Sequence, residues 1–280
     1  MIAVLGGLGA AACWSVGTLS AARASREVGP SLVLAWVMLV GLVVNAPLAL
    51  AGGIPASLHG ARVVWFVVAG AANVGGLLLA YDAMRLGKVS IVAPITSTEG
   101  AIAAVLAVVD GEALHAASAV LLAAVAAGVV LASRTAVEGR AEHPVRATLL
   151  AVGAALSFGV GLFATGHLSG DLPIAWAMFP PRLVGAAVVT APRLARRRLR
   201  VPRSVLPFLT LSGLCEIGGF ASYTAGARHS IAIAAVLASQ FAALAALLAF
   251  ALFRERLSRT QVAGIAVVVA GVALLSLVQA

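Results

Sequence analysis

Two glutamates stand where a carboxylate is costly. Glu99 lies eleven residues from the start of an apolar run over 88–109, and Glu216 twelve from the start of a run over 204–227. At the helical rise per residue, each is ~16 Å from either surface of a membrane-spanning helix. An ionisable side chain at that depth costs ~2.5–3.5 kcal/mol on insertion scales, so it marks a site hypothesis. A carboxyl there can bind an ammonium group, and because desolvation favours its neutral form it can also carry a proton. The competing role is a protonated acid serving as a hydrogen bond between helices. Asn73, the partner of Glu216 in a repeat described below, joins the two glutamates as a deep polar candidate.

Around these three lie further candidates. Thr96 and Ser97 follow Pro94 in the same run as Glu99, and Ser239 and Gln240 occupy the matching place in a later run. Pro94 leaves a backbone carbonyl without its helical partner inside the membrane, which calls for a cavity or a neighbouring polar group. These hydroxyls and the amide can form a polar wall for a substrate or act as packing glue. Trp14, Tyr81, Phe158 and Tyr223 are aromatic groups able to stack on a substrate ring or to fill core. Trp36, Trp65 and Trp176 read as packing or interfacial anchors. Arg182, after Pro180-Pro181, can bind a carboxylate, snorkel, or pair with a glutamate. Asp82 and Arg85, three apart, read as a local pair. The histidines are scattered at run ends and the two cysteines sit inside apolar runs, so neither a metal site nor a disulfide framework is expected.

The elements that must hold these residues follow from composition. Of 280 residues, 62% are hydrophobic and 10% charged, and the mean hydropathy is +1.08. Soluble domains carry roughly 25% charged residues, so lipid must solvate most of this surface. Backbone polar groups in lipid need internal partners, and the long Ala/Leu/Val/Gly runs exclude an alternating barrel pattern. An all-α integral membrane protein is expected. Its spans fall near 2–22, 31–51, 61–84, 88–109, 116–133, 146–166, 174–192, 204–227, 230–252 and 260–278. That makes ten transmembrane helices. The net charge of +9 belongs to the short loops, where it orients helices and touches lipid headgroups rather than nucleic acid. Sixteen of the nineteen Lys/Arg residues fall on one side, with Arg62 and Arg228 on the other and Arg182 inside a run. The positive-inside rule therefore predicts basic loops in the cytoplasm and both termini in the periplasm of a bacterial inner membrane.

Residues 70–133 align without a gap onto 213–276, at an offset of 143. Gly70, Gly75, Gly76, Arg85, Glu112, Leu114, Gly128 and Ser133 meet Gly213, Gly218, Gly219, Arg228, Glu255, Leu257, Gly271 and Ser276. Earlier in each half, Ala35-Trp36 and Met38 echo Ala175-Trp176 and Met178, and Trp14 falls opposite Phe158. Two five-helix halves, 1–140 and 141–280, follow. The odd count makes the second enter from the opposite side, giving a 5+5 inverted repeat. Inverted repeats build many secondary transporters, with the substrate site at the midplane between halves. No nucleotide-binding motif occurs, so no cofactor is expected and any energy must come from a gradient.

These features resemble the drug/metabolite transporter superfamily in its ten-helix EamA-type branch, over nearly the whole chain. The residues that carry the resemblance are Trp14, Arg182, Pro94 and the acidic turns Gly111-Glu112-Ala113-Leu114 and Arg254-Glu255-Arg256-Leu257. Leu42 and Leu237 depart from the family, which usually shows an arginine and a proline there. The resemblance implies export of amino acids and related metabolites, often against protons. In general likeness the chain is most similar to bacterial aromatic amino acid exporters. A carrier of a nucleotide sugar or sugar phosphate is the alternative, though it would need more cavity cations than Arg182. An intramembrane enzyme would need a paired nucleophile and base, which no run contains. A small-molecule substrate and membrane lipid are the expected partners; a monomer is compatible with the sequence, which sets no oligomeric state.

Overall fold

The computed structural model describes residues 1–86, 89–132, 143–253 and 258–278. The described chain is all-helical, without strands. Helix α1 covers Ile2–Val28, α2 Pro30–Leu50, α3 Ala61–Leu86, α4 Val89–Thr96, α5 Glu99–Val109, α6 Ala116–Ala132 and α7 Pro144–Asp171. The second part continues with α8 at Ile174–Ala177, α9 at Pro180–Gly185, a π-helical turn at Ala186–Thr190 and α10 at Ala191–Ala195. It ends with α11 at Leu206–Ala227, α12 at Ile231–Ala238, α13 at Phe241–Phe253 and α14 at Arg259–Val278. Six helical stretches of the described chain have the length and apolarity to cross a membrane. Bulky apolar residues such as Val64, Val120, Leu149 and Leu277 are exposed, as lipid-facing surfaces require. This is a multi-pass membrane protein.

Three of the expected continuous spans are interrupted. The run over 88–109 breaks at Ser97–Thr98, between α4 and α5. The run over 230–252 breaks at Ser239–Gln240, between α12 and α13. Pro94 does not itself break α4, which continues to Thr96. Instead the hydroxyls after it compete for the backbone. Thr96 donates to Ala93 O (3.0 Å), Ser97 to Ala93 O (2.7 Å) and Thr98 to Ile95 O (2.7 Å). Ser239 does the same without a proline nearby, donating to Val236 O (2.8 Å). The run over 174–192 breaks at Met178–Phe179 and restarts at Pro180, where the missing N–H is harmless in a first turn. Helices α1 and α7 extend beyond their apolar runs, α1 carrying an exposed Arg23–Glu27 pair one turn apart.

The bundle is held by close pairing of α1 with α11 and of α3 with α7, with α6 against α14. Small residues allow these approaches, as lipid-embedded packing demands. A Cβ on Gly219 of α11 would strike the Trp14 ring of α1, and one on Gly76 of α3 would strike the Phe158 ring of α7 at 2.6 Å. Gly76 and Gly219 are repeat partners, as are Trp14 and Phe158. Trp36 donates to Leu199 O (3.0 Å) and Trp176 to Gly53 O (3.1 Å), so each ties a helix to a distant loop. The turn at 254–257, Ser133, and the side chains of Arg85 and Ser276 lie outside what is described.

Candidate functional site

Arg182 and Glu216 meet in the middle of the bundle. The Arg182 side chain is fully buried, and its Nη2 lies 3.3 Å from Glu216 Oε1, whose side chain keeps 24% of its surface accessible. The guanidinium sits 4.8 Å from the Phe220 ring centroid, a cation–π stack, and its Nη1 points at Met38 Sδ at 3.7 Å. Gly41 and Gly185 make room. A Cβ on Gly41 would come within 2.7 Å of Arg182 Cδ, and Gly185 faces the Met38 side chain. The local reason Arg182 points inward is its place in α9, one turn into a helix restarted by two prolines and buried at Pro180, Pro181 and Gly185.

Some of the predicted residues lie near this pair, and the others are placed as follows. Glu99, the first residue of α5, is buried at 7% exposure and lies within electrostatic reach of Glu216, as does Tyr81. Trp14 donates from Nε1 to Glu216 O (3.4 Å) and packs edge-on against Phe220 at 5.2 Å and Phe241 at 6.4 Å. Tyr223 is fully buried, with its ring 6.4 Å from that of Trp14 and its hydroxyl donating to Leu162 O (2.7 Å). Phe158 packs over Gly76, and Asn73 sits on α3 opposite Gly161 of α7. Thr96, Ser97 and Ser239 mark the helix breaks and spend their hydroxyl protons on their own helices, leaving only lone pairs to offer. Gln240 is buried at the second break.

Three buried polar atoms in this set lack a hydrogen-bond partner among the described residues: Asn73 Oδ1, Arg182 Nε and Gln240 Nε2. Each such group costs about 1–3 kcal/mol unless something else satisfies it. Unpaired donors and acceptors of this kind are what a polar ligand satisfies on binding.

Sequence reasoning left Arg182 outside the binding set, because nothing in the spacing indicates which way a lone intramembrane arginine turns. It also left out Phe220. Glu112, noted only as part of an acidic turn, reaches α12. Its carboxylate accepts from Ser230 Oγ, from Ile231 N (2.9 Å) and from Ala232 N (3.3 Å). No group of His, Cys, Asp and Glu among the described residues is arranged to hold a metal ion.

A model of the EamA-like transporter family matches residues 1–134 and 145–277. The chain belongs to the EamA-like transporter family. It is accordingly a membrane transporter of small substrates. A solved crystal structure of another protein shares the fold of this EamA-like transporter. It aligns with a TM-score of 0.78 and 23% identity, over 99% of this chain and 96% of that one. No curated protein matches the chain.

Proposed function

We propose that this transporter exports amino acids, aromatic or hydrophobic ones above all, and related metabolites from the cytoplasm by alternating access, either driven by protons or by facilitation. Ten membrane segments form two inverted halves, 1–140 and 141–280, with both termini in the periplasm and the basic loops in the cytoplasm of a bacterial inner membrane. The observation that carries this reading is the Arg182–Glu216 pair. One partner is a cation stacked on the Phe220 ring, the other a carboxylate still partly accessible, on a residue whose backbone oxygen accepts from the Trp14 indole, and the two rings pack on each other. A zwitterion bearing a ring matches all three features: its carboxylate faces Arg182, its ammonium Glu216, and its side chain the aromatic wall. Glu99, close to Glu216, is the second carboxyl through which a proton can be exchanged for substrate. Asn73, Tyr81, Thr96, Ser97, Phe158, Tyr223, Ser239 and Gln240 complete the binding set.

The two-half organisation is supported by the two stretches of the family match, by helix breaks at nearly equivalent repeat positions, and by the reciprocal Trp14–Gly219 and Phe158–Gly76 contacts. A nucleotide sugar or sugar phosphate fits less well, since Glu216 already neutralises the one arginine buried among the described residues. The deciding experiment is uptake into proteoliposomes, run over the twenty amino acids with and without a pH gradient. The reading expects an aromatic or large apolar amino acid to move fastest, and faster with an imposed proton gradient. No movement of any amino acid by a folded, correctly inserted protein would refute the substrate class.

A further inference from the structure

We propose that Glu112 holds shut the end of the bundle at which α12 begins, and that its carboxylate must release α12 for that end to open. The proposal rests on the transporter reading above and adds a residue that positions a moving element. It starts from a local fold. Helix α5 stops at Val109 in a left-handed cap: Gly111 N donates to Val108 O (3.1 Å) and Glu112 N to Ala107 O (2.9 Å), with Gly111 at φ +107°. That backbone value disfavours any residue with a Cβ, which accounts for the glycine before the glutamate. The turn delivers Glu112 to the start of α12, a helix from the second part of the chain.

There the carboxylate receives the Ser230 hydroxyl and the N–H groups of Ile231 and Ala232, donors that a helix cannot satisfy internally. Its charge also complements the positive end of the helix dipole. Ser230 in turn caps Ile233 N at 3.1 Å, so one carboxylate organises the whole first turn. From Ala232 to Ala238 every residue of α12 is buried. Backbone approaches hem it in: Gly7 of α1 faces Ala234 and Leu237, and Gly100 of α5 faces Ala235 and Ser239. Helix α12 thus fills the space between α1 and α5 on the Glu112 side of Glu99. A path from Glu99 and Glu216 to that end requires α12 to leave, and α12 cannot leave while Glu112 holds its first turn. The other ties at this end differ in kind. Arg62 to Asp171 (2.8 Å) links α3 and α7, which are paired along their lengths. Arg228 braces the end of α7 through Ser169 O and Leu172 O. Asp110, beside Glu112, faces His167 of α7 at 3.5 Å and not α12.

The test needs no substrate, so its failure is distinguishable from failure of the amino acid assignment. In a background with Cys13→Ser and Cys215→Ser, a reporter Ala234→Cys is labelled with a membrane-impermeant maleimide in reconstituted vesicles. A second reporter, Val33→Cys, is buried near the opposite end. Glu112→Ala is expected to raise the Ala234→Cys labelling rate about tenfold, the scale of a lost helix cap, and to leave Val33→Cys unchanged. Glu112→Gln, which keeps one acceptor oxygen, should fall between. An unchanged rate at Ala234→Cys in a folded, monodisperse Glu112→Ala protein would overturn the proposal, as would an equal rise at both reporters, which reports general loosening.

Discussion

A single buried arginine gains its meaning from what faces it. Arg182 touches a carboxylate, a ring and a sulfur, yet its Nε has no hydrogen-bond partner among the described residues. Glu216 is the counter-ion of Arg182 and still keeps an accessible side, the one on which the proposed binding of an ammonium group depends. If Glu216 and Glu99 served only as hydrogen-bonding glue, replacing each by glutamine would be nearly neutral, since interhelical hydrogen bonds average ~0.6 kcal/mol and an amide keeps a donor and an acceptor. Glutamine carries no charge and does not titrate, so it cannot bind an ammonium ion or carry a proton. Transport by Glu216→Gln is expected to fail almost as completely as by Glu216→Ala, and that by Glu99→Gln to weaken sharply, with both proteins still inserted and folded. Initial uptake rates across a pH series check this. Full rates with unchanged pH dependence in both glutamine variants would remove the pair from the mechanism.

At the scale of helices, the site is shaped by where small residues let rings in. Trp14 occupies the space over Gly219, and Phe158 that over Gly76. Adding one methyl at Gly219 must displace the indole, and overpacking of this kind costs about 1–3 kcal/mol. Gly219→Ala should therefore lower the apparent melting temperature in detergent. In the presence of Trp14→Ala the same change should cost much less, because the ring it strikes is gone. Additive effects in this double-mutant cycle would show that the strain lies elsewhere. The interrupted helices belong to this scale as well. Ser97 and Ser239 bond back to their own turns, so each break is secured by the helix that precedes it.

Across the whole molecule, charge decides orientation. Arg193, Arg196, Arg197, Arg198, Arg200 and Arg203 crowd one connection, between α10 and α11 for the most part, whereas the opposite end of the bundle carries Arg62 and Arg228, each engaged with the end of α7. Alkaline phosphatase, active only in the periplasm, should be active when fused after Ala280 and inactive when inserted within 196–203 in a tolerated site. The reverse pattern in well-expressed fusions would invert the topology and with it the direction assigned to transport.

Residence in lipid and the all-helical character are legible in the residues alone, and the 143-residue repeat is a pattern of the sequence itself. Each depends on summed apolarity or on residue identity, and neither needs a partner to be known. The expected depth of Glu99 and Glu216 comes in the same way, from counting along a helix. Which faces meet is a different matter. Helices such as α6, α12 and α13 are apolar all round, so no stripe marks an inner side, and a lipid-exposed valine is chemically the same as a buried one. Arg182 could snorkel or turn inward until packing against Gly41, Phe220 and Glu216 settled it. The break at Ser239–Gln240 carries no proline, and only competition for the Val236 carbonyl ends α12 there. Glu112 lies 119 residues from Ile231, so its capping of α12 arises only when two distant parts of the chain pack together. Tertiary structure decides these features because each is a contact energy between faces that are equally apolar in sequence.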